Sequence, residues 1–252
     1  LSPEPRLPAL DLPWTEGIER FCAEAGEELA REMAAPGSGG GGQVEHVLLA
    51  TYLKDLGLSR YALGFPLEDV KEIFQLAARA LLRVFELRGT APDESLANSR
   101  RGREALLLAL AAGDQALARS LAPYVEDPEG ASYLGPGSVV TTPDDQALAY
   151  AWRDLVLGVT ILPLALGPQA NPGALLEAAA LESLATGDGA SFCAALGRLL
   201  TWHEEQATRE EHRHQPDWLL CLPGLALATL AVERGVAERR ELPGRSPYLP
   251  SF

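Results

Sequence analysis

Apolar residues return every three or four positions through almost the whole chain, and no run shows a persuasive strict alternation of apolar and polar residues. That period belongs to helices with one buried face, so the sequence predicts an all-α fold without a substantial sheet. Thr15 precedes the first stripe, Ile18, Phe21, Cys22, Ala25, Leu29 and Met33, and is expected to cap its helix. The opposite side of that helix carries Glu16, Glu19, Glu24, Glu27, Glu28 and Glu32. Val44, Val47, Leu48, Thr51 and Tyr52 mark a second buried stripe, ending near Gly57. A third helix is expected to start near Pro66 and to bury Val70, Ile73, Phe74, Ala77, Leu81, Val84 and Phe85.

Later boundaries are written in turn chemistry. Gly113 separates two short helices, Arg100 to Ala112 and Asp114 to Leu121. Thr142-Pro143-Asp144-Asp145 restarts a helix, with Leu148, Ala151, Trp152, Leu155 and Val159 at helical spacing. Asn171-Pro172 opens another, and Asp188 caps the next, which carries Phe192, Leu196, Leu199, Leu200 and His203 on one side. Pro216 is expected to begin the last main helix and Gly235 to close it. The count is about nine helices with αα-hairpins in one compact domain, residues 15–252, after an extended segment, residues 1–14. A Gly-rich loop fills residues 36–42, and Val139-Val140, in the irregular stretch between Pro123 and Pro143, could at most form a short strand. Leu110-Ala-Ala-Gly-Asp-Gln-Ala116 and Leu184-Ala-Thr-Gly-Asp-Gly-Ala190 form a weak repeat, in which Gly ends one helix, Asp caps the next and Ala permits close packing.

Thirty-five Asp and Glu against 21 Lys and Arg give a net charge of -14. Such a surface repels phosphate, which argues against nucleic acid and anionic membranes as partners and favours cationic ones. The longest apolar stretch, Trp218 to Val232, contains Pro223-Gly224 and falls short of the roughly 18 residues of a membrane span. Cys22, Cys193 and Cys221 are scattered and odd in number, a poor disulfide framework that suits core thiols and a cytoplasmic location. No signal-peptide pattern is visible, although the chain opens on Leu1 rather than Met and leaves room for an upstream segment.

No nucleophile elbow, Walker loop or dinucleotide fingerprint is present, so no cofactor and no catalytic residue is expected. His203-Glu204-Glu205-Gln206-Ala207 resembles the start of a zinc-protease helix, but Ala207 stands where the second His ligand belongs. Glu211 and His214 have a di-iron spacing with no second copy. The region reads instead as a charged surface. Glu204, Glu205, Glu210 and Glu211 are the expected partner-binding residues, with Asp144 and Asp145 as secondary candidates. Trp152 and Trp202 read as core.

The run Asp217-Trp-Leu-Leu-Cys-Leu-Pro-Gly-Leu-Ala-Leu-Ala-Thr-Leu-Ala-Val-Glu-Arg-Gly235, followed by Ser246-Pro-Tyr-Leu-Pro250, resembles the immunity protein 49 family. Leu110 to Asp114 and Leu58-Ser-Arg-Tyr-Ala-Leu-Gly64 fit the same picture, extending the resemblance from about Gly17 to the C-terminus. It implies an all-α antidote encoded beside a bacterial polymorphic toxin, acting in the producer's cytoplasm by one-to-one binding. No catalytic residue is carried over. The implied partner is a toxin domain, and the chain's acidity suits a basic one such as a nuclease. A helical-repeat adaptor for a peptide or cellular protein is the alternative, and an all-α metal-dependent hydrolase the third reading.

Overall fold

In the computed structural model, which describes residues 5–7, 10–36, 39–87, 96–126, 142–161, 163–243 and 246–250, capping residues set most helix boundaries. Nine α-helices and no strand occur among the described residues: α1 Leu12–Ala34, α2 Gln43–Ala62, α3 Leu67–Glu86, α4 Ser99–Ala111, α5 Gln115–Leu121, α6 Pro143–Leu157, α7 Pro172–Thr186, α8 Gly189–Ala207 and α9 Leu222–Glu233. Val139-Val140 lies outside the described residues, as do parts of the Gly-rich loop.

The Thr142 hydroxyl accepts from the Asp145 N–H, the Asn171 side chain from Gly173 and the Asp188 side chain from Ser191, as the sequence predicts. The two hairpins share one geometry. Gly113 and Gly187 both take left-handed backbone, with φ of 78° and 73°. Their N–H groups donate to Leu110 and Leu184, and those of Asp114 and Asp188 donate to Ala109 and Ser183. Ala116 and Ala190, however, are exposed, so they do not mediate the packing expected of them.

Other boundaries move for local reasons. α1 begins at Leu12, capped by Asp11 with Pro13 in the first turn, while Thr15 is buried and its hydroxyl donates back to the Asp11 carbonyl at 2.8 Å. α2 runs past Gly57 to Ala62, because Gly57 is an interior contact rather than a stop: any Cβ there would lie inside 3.0 Å of the Phe74 ring. α6 ends at Gly158, which leaves Val159 outside the helix and exposed. Pro216 opens only a 3-10 turn, Pro216–Trp218, and α9 starts at Leu222 with Pro223 in its first turn.

α4 is the central helix. It packs against α3, α5, α6 and α9, and its residues from Ala105 to Ala111 are all buried. α9 is apolar on every side and is likewise buried almost throughout. α7 and α8 form an antiparallel pair at one side of this core, and α1 and α3 flank α2 at another. Tyr61 joins two distant segments: the Arg6 guanidinium stacks over its ring, and the Tyr61 hydroxyl donates to the Pro247 carbonyl at 2.8 Å. Cys22 and Cys221 are buried, and burial pushes their thiols up to about 11 and about 12. Among the described residues no helix is long and apolar enough to cross a membrane.

The peripheral helices depart most from expectation. Phe21, Val44 and Leu48 belong to stripes predicted to be buried, yet they are exposed. The amphipathic pattern gives α1 and α2 an apolar face each, but these helices lie at the margin and, among the described residues, part of that surface meets no neighbour.

Candidate partner-binding surface

The second half of α8 forms a ridge between two depressions. Trp202 is the wall common to both, half-buried rather than the core residue its apolar neighbours suggest. It can sit there because the first turn of α7 carries Gly173, where a Cβ would fall inside 3.0 Å of the Trp202 ring. The larger depression, about 1020 Å³ and widely open, is lined by Glu204, Glu205, Arg198, Arg240 and the apolar Leu176 and Leu242, among others. Its charge is therefore mixed. Arg240 pairs with Glu238 at 2.8 Å beside it.

The smaller depression, about 470 Å³, is built around buried charge. The Glu177 carboxylate, 3 % exposed, accepts both Nε and Nη2 of Arg103, and the Trp152 indole N–H donates to it at 2.6 Å. Beside them the Lys54 ammonium lies 2.8 Å from Asp217 and 3.3 Å from Glu104. Burial pushes Lys54 down, but Glu104, Asp217 and Asp55 outweigh it and leave the group above its ordinary value. Burial likewise lifts Asp55 to about 6 in spite of Lys54. Sequence reasoning missed this set, because its members come from α2, α4, α6, α7 and the segment after α8, and no local pattern links them.

The six expected acids fall on three elements: α8, the turn after it and the start of α6. Glu204 and Glu205 stand exposed on α8. Glu210 and Glu211 are exposed in a 3-10 turn, Glu210–His212, and Glu211 pairs with Arg209 at 3.8 Å. Asp145 completes the capping box of α6 and also lines the smaller depression. Asp144 accepts the Gly167 N–H at 2.7 Å, latching the loop before α7.

Three of the four histidines fasten the strap between α8 and α9. His203 donates to the Trp218 carbonyl at 3.2 Å and His212 to that of Gln206 at 2.9 Å, with the His212 ring stacked on Trp218. His214 reaches Asp11 at 3.2 Å, tying the strap to the start of α1. Among the described residues no three His, Cys, Asp or Glu side chains gather as metal ligands.

Burial depresses His203 to about 4. Between that value and the ordinary 6.5 the unfolded chain takes up a proton that the folded chain refuses, so stability falls as pH drops through this window. At pH 5 the cost is about 2 kcal/mol. Asp55 acts with the opposite sign, so the test compares His203→Gln with the parent protein. Urea unfolding at pH 7 and pH 5 should show the variant losing about 2 kcal/mol less; equal losses would refute the assignment.

Residues 173–252, the last 80 of the 252 in the chain, match the family model of immunity protein 49. The matched segment begins in the first turn of α7 and takes in α8, the histidine strap, α9 and the C-terminal run. The resemblances at Leu58 to Gly64 and Leu110 to Asp114 fall before it. No curated protein and no solved structure matches the chain.

Proposed function

We propose that this chain is an immunity protein, which neutralises a cognate bacterial toxin by forming a one-to-one complex without catalysis. One observation carries the reading: every residue lining the larger depression, from Leu176 to Ser246, belongs to the segment that matches the immunity family model. The α8 ridge offers a half-buried Trp flanked by two concavities, a form suited to a protruding partner surface, and Trp is favoured at binding hot spots. Glu204 and Glu205 rim that surface, with Glu210 and Glu211 on the turn beyond. Because the depression itself is mixed in charge, its acids supply local pairing, and the net charge of -14 supplies long-range attraction to a basic toxin domain. A stable complex of this kind buries on the order of 1,600 Å². Nucleic acid and membranes have no place in this reading, and the site of action is the cytoplasm.

The test is co-expression with the toxin encoded beside it. The chain should restore growth and co-purify with the toxin, and failure of both would reject the proposal. Glu204→Lys/Glu205→Lys should slow association roughly tenfold at low salt, with the difference shrinking as salt rises. An unchanged rate would move the interface away from α8 while leaving immunity in place.

A further inference from the structure

The exposed margin of the first three helices forms an apolar trough whose walls carry opposite charge, and we propose that it docks an amphipathic α-helix of a partner protein. The trough, about 500 Å³, lies outside the immunity-matched segment. Leu49, Leu53 and Leu56 of α2 make its floor. On the α1 side the wall is small, Ala23, Gly26 and Ala30, and leaves room for another backbone at the 8–10 Å spacing of packed helices. On the α3 side stands Leu76, 52 % exposed, a large side chain aimed at no partner in the core.

Charge selects the occupant. On the α3 wall the exposed Arg79 and Arg83 outnumber Glu86, which Arg83 holds at 2.7 Å; Arg60 of α2, also in the lining, is paired with Glu19 at 2.8 Å, and the exposed Glu27 edges the α1 wall. A helix seated between them is matched when one flank is acidic and the other basic, with apolar residues at i, i+3, i+4 and i+7 beneath. Such a helix is near neutral overall, so the net charge of -14 does not repel it. The α3 wall from Ile73 to Arg83 spans about 15 Å, roughly three turns of the occupant. The partner is thus different in kind from a basic toxin surface, and the site acts independently of α8.

A probe of about 15 residues tests this: a fluorescein-labelled helix with a leucine face, glutamates on one flank and lysines on the other. Anisotropy with the full chain should show saturable binding at roughly 10–100 μM. Leu76→Glu, at an exposed position, should weaken it at least about tenfold, and Ala30→Arg should do the same by filling the small-residue wall. Arg79→Glu/Arg83→Glu should weaken this peptide and favour one with lysines on both flanks. The proposal fails if binding does not saturate by about 1 mM, or if both blocking variants, folded by circular dichroism, bind as the parent does. It also fails if sedimentation shows a parent dimer that Leu76→Glu makes monomeric, since the trough then belongs to a second copy of the chain.

Discussion

Glu177→Ala is expected to lower the unfolding free energy by about 3–5 kcal/mol. Its carboxylate is almost fully buried and satisfies two donors of Arg103 and the indole N–H of Trp152, itself wholly buried. Removing it strands a guanidinium that is only 20 % exposed and the N–H of a fully buried indole. The cost is that of the orphaned partners, not the worth of the pair. Hence Arg103→Met/Glu177→Leu should recover the share owed to the stranded guanidinium, because neither charge then has to be desolvated, and leave the cost of the unpaired Trp152 N–H. Urea denaturation with unchanged m-values measures both. A loss below about 1 kcal/mol for Glu177→Ala would show that the carboxylate is solvated in solution.

The second large effect is expected where the two hairpins differ. Gln115 and Gly189 hold the same place in the repeat, the first residue after the capping Asp. At Gly189 the carbonyl oxygen of Val236, in the turn after α9, comes so near that any Cβ would lie well inside 3.0 Å of it. A backbone atom cannot rotate away as a side chain can. Gly189→Gln, which converts the second hairpin to the first, should therefore cost roughly 3 kcal/mol or more and loosen α8 against α9. The reverse change, Gln115→Gly, should cost no more than about 1 kcal/mol, since only helix propensity and a weak bond to Arg119 are lost. Similar melting temperatures for the two variants would refute the asymmetry.

How far the sequence reached depended on the range of the interaction involved. Asn171, Asp188 and Thr142 cap the helices they precede because the cap and the N–H it satisfies lie two or three residues apart. Thr15 misled because Asp11 and Pro13 offer the same chemistry four and two residues earlier. Gly57 reads as a helix stop but is needed for the Phe74 ring, a contact that local sequence does not encode. The candidate surface divides in the same way. Glu204 and Glu205 are legible as an exposed helix end, whereas Trp202 becomes a wall between two depressions only when Gly173 brings α7 against it.

By itself the sequence determined the helical class, the hairpin turns and the all-round apolar character of α9, since periodicity and capping act within a few residues. The immunity-like C-terminal segment was also readable there, as a run of residues rather than a shape. The tertiary structure alone decided which apolar faces are covered. It set α4 at the centre and paired Glu177 with Arg103, 74 positions away. It also left Leu76 of α3 open to solvent beside the trough over α2. A helical stripe specifies a face that can be buried; only packing supplies the neighbour that buries it.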